Sequence, residues 1–281
     1  MRIANCDGRL VLVDGNRLLD VQTAGGGRFG ADPQSVYESW DDFRDWAAGR
    51  PAGEWMLLDP ARLGPPAPRP RQVFAVALNY RDHAEEAGLE VPAHPSIFTK
   101  FPSCIAGPND GIRLSTDRAD WEVELVAVIG ARAHRVAEGQ AWEHIAGLTV
   151  GQDISERRVQ FRPPNPQFSL GKSFPTFGPI GPVLVTPDEL PDPDDLEIRC
   201  SVNGEEMQRS LTGNLIFPVP KLVAELSAIL PLLPGDLIFT GTPSGVGSSR
   251  DPRVYLKPGD VIVSEIAGIG RMSNRCVADE A

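Results

Sequence analysis

The chain has 281 residues, of which 41% are hydrophobic and 23% are charged, so it can bury the core of an ordinary globular protein. Its formal net charge is -11 and no basic cluster stands out, which argues against a nucleic-acid partner or an anionic membrane surface. The N-terminus lacks the apolar stretch of a signal peptide, and no run of residues approaches transmembrane length. The cysteines are scattered without a C-x-x-C pair, which favours reduced thiols and a cytoplasmic protein.

Residues 1–70 predict a small N-terminal subdomain that ends in a proline-rich linker. Residues 9–13 and 17–21 are expected to be strands around an Asp-Gly-Asn turn, which is a strong hairpin signal. Residues 35–48 carry aromatic side chains at helical spacing, which favours a core-facing helix over a ligand cage. Residues 60–70 contain five prolines and predict a stiff linker rather than a regular element.

The second predicted domain covers residues 71–281, where short strands alternate with glycine- and proline-rich turns. Residues 80–87 predict a short helix that ends at Gly88, because glycine is common just after a helix. Residues 218–230 predict a longer helix with an apolar face. That face contains Leu222, Val223, Leu226 and Ile229. Further strands are predicted at residues 74–78, 196–202, 205–209, 254–256 and 261–263. Periodicity alone therefore gives an α+β fold with many short strands.

Two carboxylates and an apolar run form the most informative segment of the chain. Glu122 and Glu124 share one face of a predicted strand, and burying such a pair is costly unless a cation neutralises it. Residues 148–153 predict a second strand, which ends in a third acid, Asp153. Three oxygen ligands without a nearby Cys or His suit Mg²⁺, Mn²⁺ or Ca²⁺ rather than zinc. Taken alone, the E-x-E spacing more often marks an ordinary solvated strand face. The choice between that interpretation and a metal site therefore depends on the neighbouring motifs.

Five motifs follow one another between about Phe74 and the end of the chain. They are N-Y-R-D-H-A-E-E at residues 79–86, D-W-E-V-E-L-V-A-V-I-G at 120–130, Q-D-I-S-E-R-R-V-Q at 152–160, G-K-S-F with G-P-I-G-P at 171–182, and P-G-D-L-I-F-T-G-T-P-S-G-V-G at 234–247. In this order they resemble the motifs of the fumarylacetoacetate hydrolase family. The resemblance specifies the fold and the class of chemistry well, but the substrate poorly. It points to the branch that includes acylpyruvases, oxaloacetate decarboxylases and 2-hydroxyhepta-2,4-diene-1,7-dioate isomerases.

The resemblance implies a β-rich fold in which a mixed, multi-layer sheet is rolled around a metal ion. It implies that Glu122, Glu124 and Asp153 hold Mg²⁺ or Mn²⁺, with Ca²⁺ as a substitute in crystals. It also implies a homodimer and a role in the catabolism of aromatic compounds or sugar acids.

His83 and Glu86 fall one helical turn apart, so both can point to one side of the short helix. A histidine oriented by a carboxylate is a good general base near neutral pH, because the acid stabilises the imidazolium that forms. Without the family motif, an exposed helix with an incidental pair would be the preferred interpretation. In the resembling family this pair activates water beneath a lid, which makes His83 and Glu86 candidate catalytic residues and the helix a candidate lid.

Lys172 lies in a mostly apolar stretch, where a buried ammonium group needs an anionic partner. It could form a salt bridge to a metal-binding acid, stabilise a developing oxyanion or enolate, or do both. The resemblance assigns substrate binding to Arg157, Gln160 and Thr242. Residues 240–245 lack the Lys-Ser/Thr pair of a phosphate-binding P-loop, so a nucleotide site is rejected, although a purely structural turn remains an alternative.

Three positions depart from the family pattern. Pro175 stands where many members have Asp, Gln152 replaces the usual Asn, and Ala77 stands where Gly often precedes Leu-Asn-Tyr. Because proline cannot replace a hydrogen-bonding acid, the first departure predicts an altered polar network near the substrate. These departures weaken the inference of substrate more than the inference of chemistry.

The sequence therefore predicts a divalent-metal-dependent hydrolase that cleaves a carbon–carbon bond in a small β-diketo acid, of the acylpyruvate or fumarylpyruvate type, through an enolate. The alternative is an oxaloacetate decarboxylase or a 2-hydroxydienoate isomerase that uses the same metal site. A more remote alternative is a non-catalytic metal-binding scaffold. The expected partner is a small dicarboxylate or keto acid, and neither nucleic acid nor membrane.

Overall fold

The structure is a computed structural model and describes residues 1–49, 51–88 and 90–279. It is rich in short strands. The strands are β1 Arg2–Cys6, β2 Arg9–Asp14, β3 Arg17–Asp20, β4 Met56–Leu57, β5 Leu63–Gly64, β6 Val73–Ala77, β7 Ser96–Thr99, β8 Ile105–Ala106, β9 Ile112–Leu114, β10 Ala119–Asp120, β11 Val123–Ile129, β12 Ile145–Gln152, β13 Ser155–Glu156, β14 Gly178–Val185, β15 Glu197–Val202, β16 Glu205–Leu211, β17 Leu237–Phe239, β18 Val261–Ile266 and β19 Gly270–Ala278.

Helices are few and mostly short. The α-helices are α1 Val21–Ala24, α2 Trp40–Ala48, α3 Arg81–Ala87, α4 Arg157–Gln160, α5 Phe168–Gly171 and α6 Val219–Ile229. The 3₁₀ turns cover Ser35–Ser39, Pro60–Arg62, Pro102–Cys104, Glu138–His144, Pro187–Glu189, Thr212–Asn214 and Gly247–Ser249. In the part of the chain that the structure describes, no helix combines the length and apolarity needed to cross a bilayer.

The strands form one large sheet and two smaller ones. The large sheet has the order β4-β3-β2-β1-β14-β12-β11-β17-β6-β7, with β5 beside β1 and β8 beside β14. The second sheet has the order β16-β15-β18-β19-β9, and β10 pairs with β13. Since β1 pairs with β14, the N-terminal hairpin continues the same sheet that contains β11 and β12. The proposed domain boundary after residue 70 stays a prediction.

Strand β11 lies in the interior, covered on both faces, which explains its unbroken apolar sequence. Its odd-numbered residues Val123, Leu125 and Ala127 pack in a core shared with Ile198 and Ile262 of the second sheet. Its even-numbered residues Val126 and Val128 pack in a different core, which contains the aromatic residues of the N-terminal region. Tyr37, Trp40 and Phe43 belong to that second core. The side chains of Glu122 and Glu124 continue the even-numbered face, so the acids lie on the same side of the strand as Val126 and Val128.

The β-rich α+β architecture is confirmed, as are several local predictions. The Asp-Gly-Asn hairpin joins β2 to β3, and the strands predicted at residues 196–202 and 205–209 correspond to β15 and β16. Helix α3 ends at Gly88, which adopts the left-handed φ of 65° expected for a glycine at this position. The helix predicted at residues 35–48 begins with a 3₁₀ turn, and α2 starts only at Trp40.

Three local predictions were wrong. Residues 60–70 are not only a linker, because Leu63 is buried and pairs with Cys6 through β5. Residues 254–256 form no strand: the Val254 N–H donates to the Gly247 carbonyl of a 3₁₀ turn and the Leu256 N–H to the Ala119 carbonyl of β10, and these isolated bonds make no ladder. Ile229 is 81% exposed because it is the last residue of α6, beyond the buried face of that helix.

Candidate active site

Three buried carboxylates meet where β11 begins and β12 ends. The two strands are antiparallel with Val123 opposite Gln152, so Glu122 lies next to Asp153, whose N–H donates to the Glu122 carbonyl at 2.9 Å. Glu124 is on the same face as Glu122, because side chains two residues apart point the same way. One oxygen from each of the three acids lies within 4.8 Å of the others. The register thus brings together the three acids that the sequence predicted.

Three buried cations neutralise two of these acids. The Lys172 ammonium lies 2.6 Å from Glu122 Oε2 and 2.7 Å from Asp153 Oδ2. Lys100 Nζ lies 2.7 Å from the other oxygen of Asp153, and Arg157 Nη1 lies 2.6 Å from the other oxygen of Glu122. Buried charges are tolerated when they are paired in this way. Within the described ranges no salt bridge reaches Glu124.

The two glutamates consequently differ in acidity. Burial opposes ionisation of Glu122, but the charges of Lys172 and Arg157 outweigh it and lower its pKa to about 2. Burial and the negative charges of Asp153 and Glu122 raise the pKa of Glu124 well above its usual value. A divalent cation would supply the positive charge that Glu124 lacks. The all-oxygen donor set therefore fits a hard ion held by the three acids, and zinc prefers other ligands.

A glycine loop supports Glu124 from the other side. Gly241 N–H donates to Glu124 Oε2 at 2.8 Å. Gly241 has a positive φ of 99°, and a Cβ atom there would come within 2.7 Å of the Asn79 side chain. Only glycine therefore fits this loop without strain, which gives a structural reason for the T-G-T motif.

Two buried glutamine side chains hold the backbone at the start of β11. Gln152 Oε1 accepts from Glu122 N–H at 2.9 Å, and Gln208 Oε1 accepts from Val123 N–H at 3.0 Å. Gln208 Nε2 also donates to Thr242 Oγ1 at 2.8 Å, and that hydroxyl donates to the Val123 carbonyl at 2.9 Å. The proton of the Thr242 hydroxyl is therefore directed at the backbone, and the oxygen keeps acceptor capacity only.

His83 and Glu86 form the predicted pair on α3. The distance from His83 Nδ1 to Glu86 Oε2 is 3.0 Å, and Glu86 Oε1 accepts from Gly245 N–H at 3.0 Å. Burial opposes the ionisation of Glu86, but the hydrogen bonds from His83 and Gly245 lower its pKa. Because Glu86 holds Nδ1, the opposite ring nitrogen of His83 is the one that can exchange a proton with a bound molecule.

One cavity of about 360 Å³ connects these groups. Of the nine residues predicted for the site, six line this cavity, Glu124 and Asp153 lie beside Glu122, and Glu86 stands behind His83. The six lining residues are His83, Glu122, Arg157, Gln160, Lys172 and Thr242. The structure therefore brings all nine together, and their individual roles stay predictions.

Lys100 and Asp120 are site residues that sequence reasoning missed. Lys100 is buried and donates to Asp153 and to the carbonyl oxygens of Lys172 and Phe177. Asp120 accepts from Arg157 and from the N–H groups of Gly247 and Ser248, so it ties the metal strand to the last motif. A lysine directly after the short strand β7 was the available signal for Lys100.

Pro175, the clearest departure from the family pattern, is exposed and is not among the residues that line the cavity. Its neighbours Phe174 and Phe177 pack against each other, with ring centroids 5.2 Å apart. The turn is therefore held by apolar packing at this position.

The chain is similar to proteins of known family along most of its length. An oxaloacetate tautomerase, FAHD2A, of Bos taurus mitochondria is 46% identical over 214 residues, which are 75% of this chain and 68% of the relative. A solved structure of an HpcE-like protein from Mycobacterium smegmatis is 52% identical, with a TM-score of 0.93 and full coverage of both chains. Maleylpyruvate hydrolase from Sphingobium, solved with manganese and pyruvate, is 28% identical, with a TM-score of 0.80 and full coverage of both chains.

The model of the fumarylacetoacetate (FAA) hydrolase C-terminal family matches residues 72–277. This range contains the three acids, the His83–Glu86 pair and both cationic partners of Glu122. The chain therefore belongs to the fumarylacetoacetate hydrolase family.

Proposed function

We propose that the protein is a metal-dependent enzyme that interconverts the keto and enol forms of a small 2-oxo acid. One observation carries the proposal: His83, oriented by Glu86, lines the same cavity as Lys172 and Glu122. Proton transfer next to a carbonyl group requires a base and a fixed positive charge, and here both line one cavity. The oxaloacetate tautomerases among the relatives support the same chemistry.

In the proposed reaction, His83 removes a proton from the carbon next to the keto group. The electrons of that C–H bond form the new C=C bond, and the carbonyl electrons move onto the oxygen. Glu86 stabilises the imidazolium, which then returns its proton to the oxygen to give the enol. When bound, a divalent cation on Glu122, Glu124 and Asp153 would attract the carboxylate and keto oxygens and withdraw electrons from the carbonyl group.

Lys172 would stabilise the negative charge that develops on the oxygen. Its ammonium group has three N–H donors, of which two point at Glu122 and Asp153. No third acceptor lies among the described residues, so the remaining N–H can donate to a substrate oxygen, and it acts where burial strengthens electrostatic interactions. Arg157 is held by Asp120, Glu122 and Gln160, so it would orient these groups and present Gln160 to the substrate.

Hydrolysis of a carbon–carbon bond in an acylpyruvate or fumarylpyruvate is the second candidate. The same His83–Glu86 pair could deprotonate water for attack on the distal carbonyl group, and the similar maleylpyruvate hydrolase supports this alternative. Decarboxylation of oxaloacetate needs no general base, so the His83–Glu86 geometry favours it less.

Oxaloacetate and acetylpyruvate separate these functions. With Mn²⁺ or Mg²⁺, we expect faster loss of the ultraviolet absorbance of enol oxaloacetate, without pyruvate formation and without cleavage of acetylpyruvate. His83→Ala should lower the tautomerisation rate about a hundred- to ten-thousand-fold, because the proton acceptor is gone. His134→Ala is the matched control, since His134 is exposed and lies outside the cavity lining. Cleavage of acetylpyruvate without tautomerisation of oxaloacetate would establish the hydrolase instead.

A further inference from the structure

An aromatic wall leads from Lys172 to the mouth of the cavity. The Lys172 ammonium lies 5.1 Å from the ring centroid of Phe98. Phe98 contacts Phe168 edge to face at 5.6 Å, and Phe168 contacts Phe161 in the same way at 5.6 Å. All three rings line the cavity, and Phe161 is 51% exposed. A substrate whose keto oxygen meets Lys172 would therefore extend along these rings.

The positive charges of the cavity are concentrated at its inner end. Among the described residues of the lining, Arg157 and Lys172 are the permanent cations, and His83 is the proposed base. Arg157 is paired with Asp120 and Glu122, and Lys172 with Glu122 and Asp153. Beside the three rings, no described lining residue offers a free cation to a second substrate carboxylate. Desolvating an unpaired carboxylate against apolar surface is unfavourable.

The rest of the outer lining is neutral. Val76, Ala77, Pro92 and Val246 contribute apolar surface, and Ser96, Ser248 and Ser249 contribute hydroxyl groups. A flat hydrocarbon group can pack on aromatic rings in stacked or edge-to-face geometry, whereas a carboxylate gains nothing comparable from them. The wall is therefore complementary to an uncharged planar group.

We propose that Phe98, Phe168 and Phe161 form a subsite for an uncharged planar substituent, so that the preferred substrate is a 2-oxo acid with an aryl or conjugated hydrocarbon group on its third carbon. This inference rests on the proposed function, and it names the substrate class of that site. It sets this chain apart from a site adapted to oxaloacetate, whose third carbon carries a carboxylate. Phe161 is the specificity-determining residue most open to substitution, because its ring is half exposed.

Phenylpyruvate and oxaloacetate are the matched probes, since they share the 2-oxo acid head and differ in the phenyl or carboxylate group on the third carbon. With Mn²⁺, we expect kcat/KM for enol–keto conversion to be at least about tenfold higher for phenylpyruvate. Phe161→Ala should lower that ratio about two- to tenfold, mainly through KM, because one aromatic contact is lost. Phe161→Arg should move the preference towards oxaloacetate, because it adds a cation at the mouth.

Phe101→Ala is the control. Phe101 is 49% exposed, close to the value for Phe161, but it does not line the cavity, so its loss should leave the ratio unchanged. A preference for oxaloacetate that neither Phe161 variant changes would overturn the subsite, while the proposed function would stand. If neither acid is converted, the proposed function fails. Calorimetric binding of phenylpyruvate to the Mn²⁺-loaded protein then tests whether the three rings bind the phenyl group. Equal binding by the native protein and Phe161→Ala would overturn it.

Discussion

Glu122 and Glu124 lie two residues apart on one face of the chain, yet their surroundings shift their pKa values in opposite directions. Both are buried, but Lys172 and Arg157 contact Glu122 directly. Glu124 instead accepts one backbone hydrogen bond and lies near two other acids. Without metal, the charge of Glu122 stabilises the adjacent cations, whereas a charge on Glu124 would be repelled by Asp153 and Glu122. The two carboxylates should therefore respond differently to the same substitution.

In metal-free protein, Glu122→Gln should lower the free energy of unfolding by about 2 kcal/mol, because it removes one of the two charged partners of both Lys172 and Arg157. Glu124→Gln should leave that free energy unchanged or raise it slightly, because a neutral amide replaces a group that burial disfavours as an anion. Urea unfolding in EDTA measures both values. Mn²⁺ affinity, measured by calorimetry, should fall in both variants. An equal loss of stability in the two variants would contradict the charge arrangement described above.

At the scale of elements, the start of β11 is held by side chains from two different sheets. Gln152 ends β12 of the large sheet, and Gln208 projects from β16 of the second sheet. The two glutamines together accept from consecutive backbone N–H groups, at Glu122 and Val123. These two hydrogen bonds hold the backbone in place where the side chains of Glu122 and Glu124 project into the site. Gln208 thereby couples the acids to the loop that contains Thr242.

Gln208→Met should reduce Mn²⁺ affinity and kcat about ten- to a hundredfold, because it removes the supports of Val123 and Thr242 without touching a ligand. Calorimetric Mn²⁺ titration gives a readout that does not depend on turnover. Gln140→Met is the control, since Gln140 is exposed on a 3₁₀ turn away from the cavity. Unchanged affinity in Gln208→Met would show that the loop and the strand hold their geometry independently.

Helix α3 is the element that we expect to move. Two side-chain contacts dock it on the last motif: Asp82 with the Ser244 hydroxyl at 3.1 Å, and Glu86 with Gly245 N–H. Its amides should therefore exchange hydrogen faster than those of β11, and Mn²⁺ with pyruvate should slow them as the cavity closes. Mass-spectrometric hydrogen exchange tests this. Protection of α3 equal to that of β11 without ligand would rule out a lid.

At the scale of the whole molecule, individual strands and most site residues could be predicted better than the contacts between sheets. The period-2 pattern and the adjoining apolar run marked Glu122 and Glu124, and the motifs supplied Asp153, His83 and Lys172. Gln208 lies 85 residues from the backbone group that it supports, and a single buried polar side chain in a hairpin leaves no periodic signal. Lys100 is equally hard to predict, because its partners, Asp153 and the carbonyl groups of Lys172 and Phe177, come from two distant segments.

Metal binding should stabilise the whole protein, because the three acids come together only in the folded chain. At a Mn²⁺ concentration about a hundred times the dissociation constant, the free energy of unfolding should rise by roughly 2.7 kcal/mol. Thermal unfolding with Mn²⁺ and with EDTA measures the difference, and Glu124→Gln should lose most of it. A transition temperature that is the same under both conditions would argue against a metal site at these residues.

The position of β17 has a consequence for how a cell makes this protein. Strand β11 pairs with β12 on one side and with β17 on the other, although β17 ends at Phe239. During synthesis, the sequence V-E-L-V-A-V-I therefore leaves the ribosome more than a hundred residues before its second partner. Until then it presents an unpaired apolar edge, which other unfinished chains could join. Chaperone supply during translation, rather than the stability of the finished fold, should thus limit the yield of active protein.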